Sequence, residues 1–209
     1  MTTLPREVET LVEDLGLLDL SSLEKAADFV VDAVLHGGVV LACGNGGSAA
    51  QASHLVAELV GRLSSKRERP PIPAVSLCDP AVLTAIANDY DFDDVFARQV
   101  AAFGSTRSVL VVYSTSGRSP NVLRACSAAH AGGLAVVAFV GRLDDEHPGL
   151  ETLGVDCVVE APSSDTGSVQ AVHLVLTHSL VRLVEDLLYP PEDAAAAAGR
   201  DPNRKPARR

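Results

Sequence analysis

The chain contains no tryptophan, a single methionine and only 4% aromatic residues. A core drawn from its 47% hydrophobic residues must therefore be built from Ala, Val and Leu, which suits helices lying close on a parallel sheet. Positive charge is also scarce: 17 Lys and Arg against 27 Asp and Glu give a formal net charge of −10. That excludes non-specific binding to nucleic acid or to an anionic membrane, both of which need a positive field. Every apolar run is broken by charge well short of the roughly 20 residues of a membrane span. No basic start followed by an apolar stretch marks a secretion signal. The four cysteines, Cys43, Cys78, Cys126 and Cys157, stand singly without CxxC spacing, so neither a disulfide frame nor a thiolate zinc site is expected. A reduced, cytoplasmic protein is the expectation.

What is present alternates regularly. The pattern predicts a leading helix over Pro5 to Leu18 and a second from Ser21, where Ser21 and Glu24 have the spacing of a capping box. A buried strand, Val39–Cys43, follows, and a glycine-rich turn then opens a helix to Leu63. The polar, proline-broken segment Ser64–Pro73 reads as a surface loop. Further strands are expected at Ala74–Leu77, Ser108–Tyr113, Leu134–Phe139 and Val155–Glu160. Helices are expected at Pro80–Ala87, Asp94–Phe103, Ser119–Ala131 and Thr166–Leu188. This rhythm predicts an α/β three-layer αβα sandwich on a five-stranded parallel sheet with extra N-terminal helices, forming one domain over residues 1–189. The composition changes at Pro190, and residues 190–209 read as a disordered tail with five basic and three acidic groups.

Three polar clusters carry the chemistry. Gly44-Asn45-Gly46-Gly47-Ser48 directly follows the first strand and opens a helix, where close backbone approach and unpaired N–H groups favour an anion. A plain turn capped by Ser48 reads equally from those residues. Ser114-Thr115-Ser116-Gly117-Arg118-Ser119 repeats the strand-to-helix position with four hydroxyls and no lysine. Those hydroxyls serve either as helix caps or as a phosphate cage. Two such turns at the carboxyl ends of strands point to a phosphorylated small molecule, with no P-loop lysine or aromatic platform to favour a nucleotide.

The third cluster lies on helices. His54 and Glu58 are four apart and share one face. Gln170 and His178 are eight apart, about 80° out of register, and can look toward one centre, whereas His173 is rotated about 140° from His178. Imidazole, carboxylate and amide oxygen suit a divalent ion, zinc above all, although each pair alone also reads as an ordinary surface or core hydrogen bond.

In this order, the stretches CGNGGSAAQASHLVAELVGRL (43–63), LTAIANDYDFDDVFARQV (83–100), STSGRSPNVLRA (114–125) and DTGSVQAVHLVLTHSLVRLVE (165–185) resemble the sugar isomerase (SIS) domain. More narrowly they resemble the sedoheptulose 7-phosphate, or phosphoheptose, isomerases. The likeness extends to about Tyr189 and implies a homotetramer with active sites between subunits. It implies one zinc ion held by His54, Glu58, Gln170 and His178. Asn45, Gly46 and Gly47, with Ser48 nearby, would line the sugar phosphate, whose phosphate would rest on Ser114, Thr115, Ser116 and Ser119. Asn88 and Asp89, otherwise plain turn residues, would reach the substrate hydroxyls, and Glu58 and Gln170 would face the substrate as well. Arg62 is either an aid to the anion or a solvated helix-end arginine.

Three positions depart from the family pattern. Arg118 stands where Asn is usual, and Ser168 and Ala171 flank Gln170 where Arg and Glu are usual. The implied reaction interconverts sedoheptulose 7-phosphate and D-glycero-D-manno-heptose 7-phosphate through an enediolate, for nucleotide-activated heptose synthesis. Glu58 and His178 are the acid–base pair. Two alternatives share the fold: a non-catalytic relative that binds the replication initiator, and one that senses or isomerises another sugar phosphate. Retention of Glu58 and His178 favours the enzyme.

Overall fold

The Val- and Ala-rich runs pair into one sheet. The computed structural model describes residues 6–143 and 154–190. In chain order the elements are α1 (Arg6–Gly16), α2 (Ser21–Leu35), β1 (Val40–Gly44), α3 (Gly47–Val60), β2 (Ala74–Ser76), α4 (Pro80–Asp89), a 3-10 turn (Phe92–Asp94) and α5 (Ala97–Phe103). They continue with β3 (Val109–Ser114), α6 (Pro120–Ala131), β4 (Ala135–Val140), β5 (Cys157–Glu160) and α7 (Thr166–Leu188). The five strands are parallel in the order β2-β1-β3-β4-β5. Chain direction across the sheet therefore switches between β1 and β3, where Gly44 stands beside Tyr113, and the crevice of such a sheet opens there.

Alternation along each strand supplies two cores. Val40, Ala42, Val111, Tyr113, Val137 and Phe139 face α2, α3 and α7, whereas Leu41, Cys43, Leu110, Val112, Val136 and Ala138 face α5 and α6. The central strands are apolar on both faces because both are covered, which gives the expected αβα sandwich. α1 packs on α7, where Ser168 Oγ donates to the buried carboxylate of Asp14.

Several local expectations are corrected. The Ser21–Glu24 capping box does not form: Ser21 N–H donates to Asp19 Oδ1 at 2.9 Å, and α2 has no side-chain cap from the residue preceding it. The helix expected from Asp94 begins only at Ala97. Asp91 Oδ1 accepts from Asp93 N at 2.8 Å, winding residues 92–94 into a 3-10 turn that precedes the buried pair Val95 and Phe96. Asn88 and Asp89 close the last turn of α4 instead of forming a loop. Except for Pro190, the expected tail lies outside the described residues. Among the described residues no helix is long and apolar enough to cross a membrane.

Candidate active site

Two strand-to-helix turns border a cleft of about 280 Å³ at the β1/β3 switch point. The first supplies Asn45, Gly46, Gly47 and Ser48, and the second supplies Ser114, Thr115 and Ser119. Gln170 and Thr166 of α7 close it. In the first turn Gly46 has φ +56°, a left-handed conformation that favours glycine. A Cβ on Gly47 would stand 2.5 Å from the Gln170 carboxamide, so glycine is what lets α7 bring that side chain against the turn.

Neither helix that opens into the cleft is capped by its own side chain. α3 starts after Gly46 and α6 after Ser119 without such a bond. By contrast, α4 and α7 are capped by Asp79 and Asp165. Ser48 therefore does not cap α3, and the Ser119 hydroxyl is not spent on α6. Helix-start amides carry partial positive charge, so the cleft is suited to an anion in a protein whose net charge is negative.

The remaining hydroxyls divide their tasks. Ser114 Oγ accepts from Gly117 N at 3.1 Å, and Ser116 Oγ accepts from Arg118 N at 3.3 Å. Both bonds order the second turn. Ser116 is exposed and is not among the residues lining the cleft. Asn45 is held by a reciprocal amide pair: its Nδ2 donates to Asn121 Oδ1 at 2.8 Å, and Asn121 Nδ2 donates back at 2.9 Å. That pair ties the first turn to α6.

His54, Glu58 and His178 converge. One ligand atom from each lies within 4.8 Å of the others. The two imidazole Nε2 atoms are 2.8 Å apart, and Glu58 Oε1 is 3.6 Å from His54 Nε2. Glu58 Oε2 is buried and has no hydrogen-bond partner among the described residues. Such an orphaned carboxylate oxygen costs on the order of 1–3 kcal/mol or more unless a proton or a cation compensates it. Two nitrogens and a carboxylate pointing at one another are a donor set suited to zinc or a similar divalent ion. Gln170 is eight residues before His178 on α7, with its carboxamide against Gly47.

Other candidates fall elsewhere. Asn88 and Asp89 bond each other (Nδ2 to Oδ1, 2.8 Å) and are exposed. Asp89 lines a separate surface cleft with Tyr90 and Arg98, not the one at the switch point. Arg62 pairs with Glu68 at the surface, as a solvated helix-end arginine does. His173 is fully buried and apart from the cluster: its Nε2 donates to Val140 O at 3.0 Å, and its ring meets Tyr113 and Phe139 edge-on. Burial lowers its pKa from 6.5 to about 4. Beside it, the Tyr113 hydroxyl and Thr177 Oγ1 are 2.8 Å apart, and burial pushes the phenol pKa up.

Sequence reasoning missed Asn121, whose only signal was an amide just inside a helix start, and Thr166. It also missed the buried pair of Arg69 with Glu185, because Arg69 lay in a segment read as a plain surface loop.

A model of the SIS domain matches residues 6–141. The phosphoheptose isomerase of Shewanella frigidimarina is 41% identical over 175 residues, which are 83% of this chain and 87% of that protein. The chain belongs to the phosphoheptose isomerase family. A phosphoheptose isomerase structure from Neisseria gonorrhoeae superposes with a TM-score of 0.74 at 34% identity, covering 87% of this chain and 94% of that one. Another from Francisella tularensis gives 0.77 at 32%, covering 87% and 93%. Within the phosphoheptose isomerase fold, the departure at Ser168 has a local partner in Asp14 of α1.

Proposed function

We propose that this protein interconverts sedoheptulose 7-phosphate and D-glycero-D-manno-heptose 7-phosphate, supplying nucleotide-activated heptose synthesis in the cytoplasm. The observation that carries this reading is the meeting of His54, Glu58 and His178 together with a hydroxyl-lined, cap-free cleft that Gln170 helps to close. The substrate phosphate rests on Ser114, Thr115 and Ser119, which line the cleft, with its negative charge opposite the starts of α3 and α6. Ser116, expected from the resemblance as a further contact, lies exposed in the same turn and would have to turn inward to reach it. Asn45, Gly46, Gly47 and Ser48 line the sugar chain.

The residues that would hold zinc are His54, Glu58, Gln170 and His178. When bound, the ion supplies Lewis-acid polarisation of the carbonyl and the neighbouring hydroxyl. Glu58 takes the C1 proton while the C1–H electron pair becomes the C1–C2 double bond and the C2 oxygen gains a proton. Glu58 then returns its proton to C2, and the C1 hydroxyl loses its own to become the aldehyde. His178 moves the proton between the two oxygens. Glu58 Oε1 faces His54 in the cluster, and Oε2, without a hydrogen-bond partner among the described residues, supports the role of base.

Residues 1–189 act as one SIS domain. The active unit is a homotetramer with sites between subunits: within one chain Asp89 lines a different cleft, and a second subunit would bring Asn88 and Asp89 to the sugar hydroxyls that the resemblance assigns to them. The test is turnover of sedoheptulose 7-phosphate by the zinc-loaded protein, followed by NMR. Glu58→Gln is expected to lose about a thousandfold or more; a wild-type rate in that variant removes Glu58 from the chemistry.

A further inference from the structure

The loop from α3 to β2 carries a buried cation that none of these roles uses. The Arg69 side chain is 0% exposed and that of Glu185, on α7, is 3%. Arg69 Nε donates to Glu185 Oε1 at 2.7 Å. Its Nη2 donates to the Glu58 carbonyl at 2.6 Å and its Nη1 to the Leu59 carbonyl at 2.8 Å. Those are carbonyls of the last turn of α3, where the helix offers no amide to receive them. Two residues earlier, Arg67 Nη2 donates to the carbonyls of Glu185 at 3.0 Å and Tyr189 at 2.7 Å. Two arginines of one loop thus join the end of α3 to the end of α7.

Stability alone is a weak reason for this arrangement, because an apolar pair of similar volume commonly does as well as a buried ion pair. What an apolar pair lacks is direction. A planar guanidinium bonded to Glu185 and to two α3 carbonyls, and also to the Pro70 carbonyl beside it, allows little sliding of one helix past the other. The helices it joins are the two that carry His54, Glu58, Gln170 and His178, and the Glu58 main chain is itself one of the acceptors. Glu185 follows His178 by seven residues, about two turns, so the two lie along one side of α7.

The geometry points to Arg69 and Glu185 as positioning residues that set the α3–α7 register. Through it they set the spacing of His54 and Glu58 from His178, and hence the metal affinity of the site. This rests on the metal reading proposed above. The test measures zinc dissociation constants of the full chain by chelator competition, alongside melting temperatures of the metal-free forms. The variants are Arg69→Lys, the charge-free double variant Arg69→Met with Glu185→Leu, and Val136→Ala, a core truncation on the opposite sheet face.

Both clamp variants are expected to bind zinc at least tenfold more weakly, with Val136→Ala melting lower yet binding within twofold of wild type. If Arg69→Lys does not fold, the double variant, which leaves no orphaned charge, decides. Wild-type affinity in the clamp variants, or an equal loss in Val136→Ala, overturns the inference and leaves the metal site standing. A wild-type protein that binds no zinc overturns the metal reading and the inference together.

Discussion

The sheet face under α5 and α6 buries Leu110, Val112, Val136 and Cys126, and its buried Gln99 donates to the carbonyls of Val95 in its own turn and of Leu77 just past β2. The face under α2, α3 and α7 is just as rich in buried Val, Leu and Ala. It also encloses His173, Thr177, Gln51, Arg69 and Glu185. Hydrocarbon contact has no preferred direction, so the first face, with only Gln99 of α5 and Asn121 of α6 as buried amides, fixes the register of its helices by fewer bonds than the second. Buried hydrogen bonds do dictate it, at the cost of leaving an expensive orphan if one partner is lost. The buried ion pair of Arg69 with Glu185 joins the helices that carry the candidate metal ligands.

The comparison can be broken most severely at the cluster itself. His178→Ala is expected to lower isomerase turnover about a thousandfold or more and to weaken zinc binding, with little change in the melting temperature of the metal-free protein, because the imidazole is half-buried. Turnover assays and chelator competition check this. Leu110→Ala on the other face is expected to do the reverse. It should cost about 3 kcal/mol in urea denaturation while the folded fraction turns over within twofold of wild type. A large kinetic defect there would erase the distinction between the faces.

Gly47→Ala gives a smaller effect. The added Cβ meets the end of the Gln170 side chain, which can swing away, so the fold should be kept while kcat/KM falls about thirtyfold, or about 2 kcal/mol. An effect of similar size concerns pH. The folded-state pKa of His173 is lowered to about 4 from 6.5, so between those values the unfolded chain binds a proton that the folded chain does not. Stability is therefore present above pH 6.5 and is lost as pH falls toward 4, by about 2 kcal/mol between pH 7 and pH 5 from this group. His173→Gln should remove that share of the slope in urea titrations at the two pH values.

Much of this was legible from residue order. The strands declare themselves as short apolar runs, and the glycine and hydroxyl turns sit directly after two of them. The rotation of about 140° between His173 and His178 set His173 apart, and the structure places it in the core against Val140. Capping was read less well: Ser21, Ser48 and Ser119 all look like caps, yet α2 is approached by Asp19 and the other two helix starts have no side-chain cap. A hydroxyl before a helix signals the position but not whether the bond is spent locally or left for a ligand. Arg69 was opaque for a different reason. Its partner is 116 residues away, and a charged residue in a proline-broken segment carries no local mark of burial.

The order of apolar runs, turns and helical spacings by itself determined the layers, the parallel sheet and the residues able to do chemistry, because periodicity and turn geometry act over a few neighbouring residues. Only the folded chain decided which of those residues meet. The facing of His54 and His178, the lone Glu58 oxygen, the Asn45–Asn121 pair and the Arg69 clamp all depend on helix-on-helix register, and that register is set by contacts between segments that the order of residues does not relate.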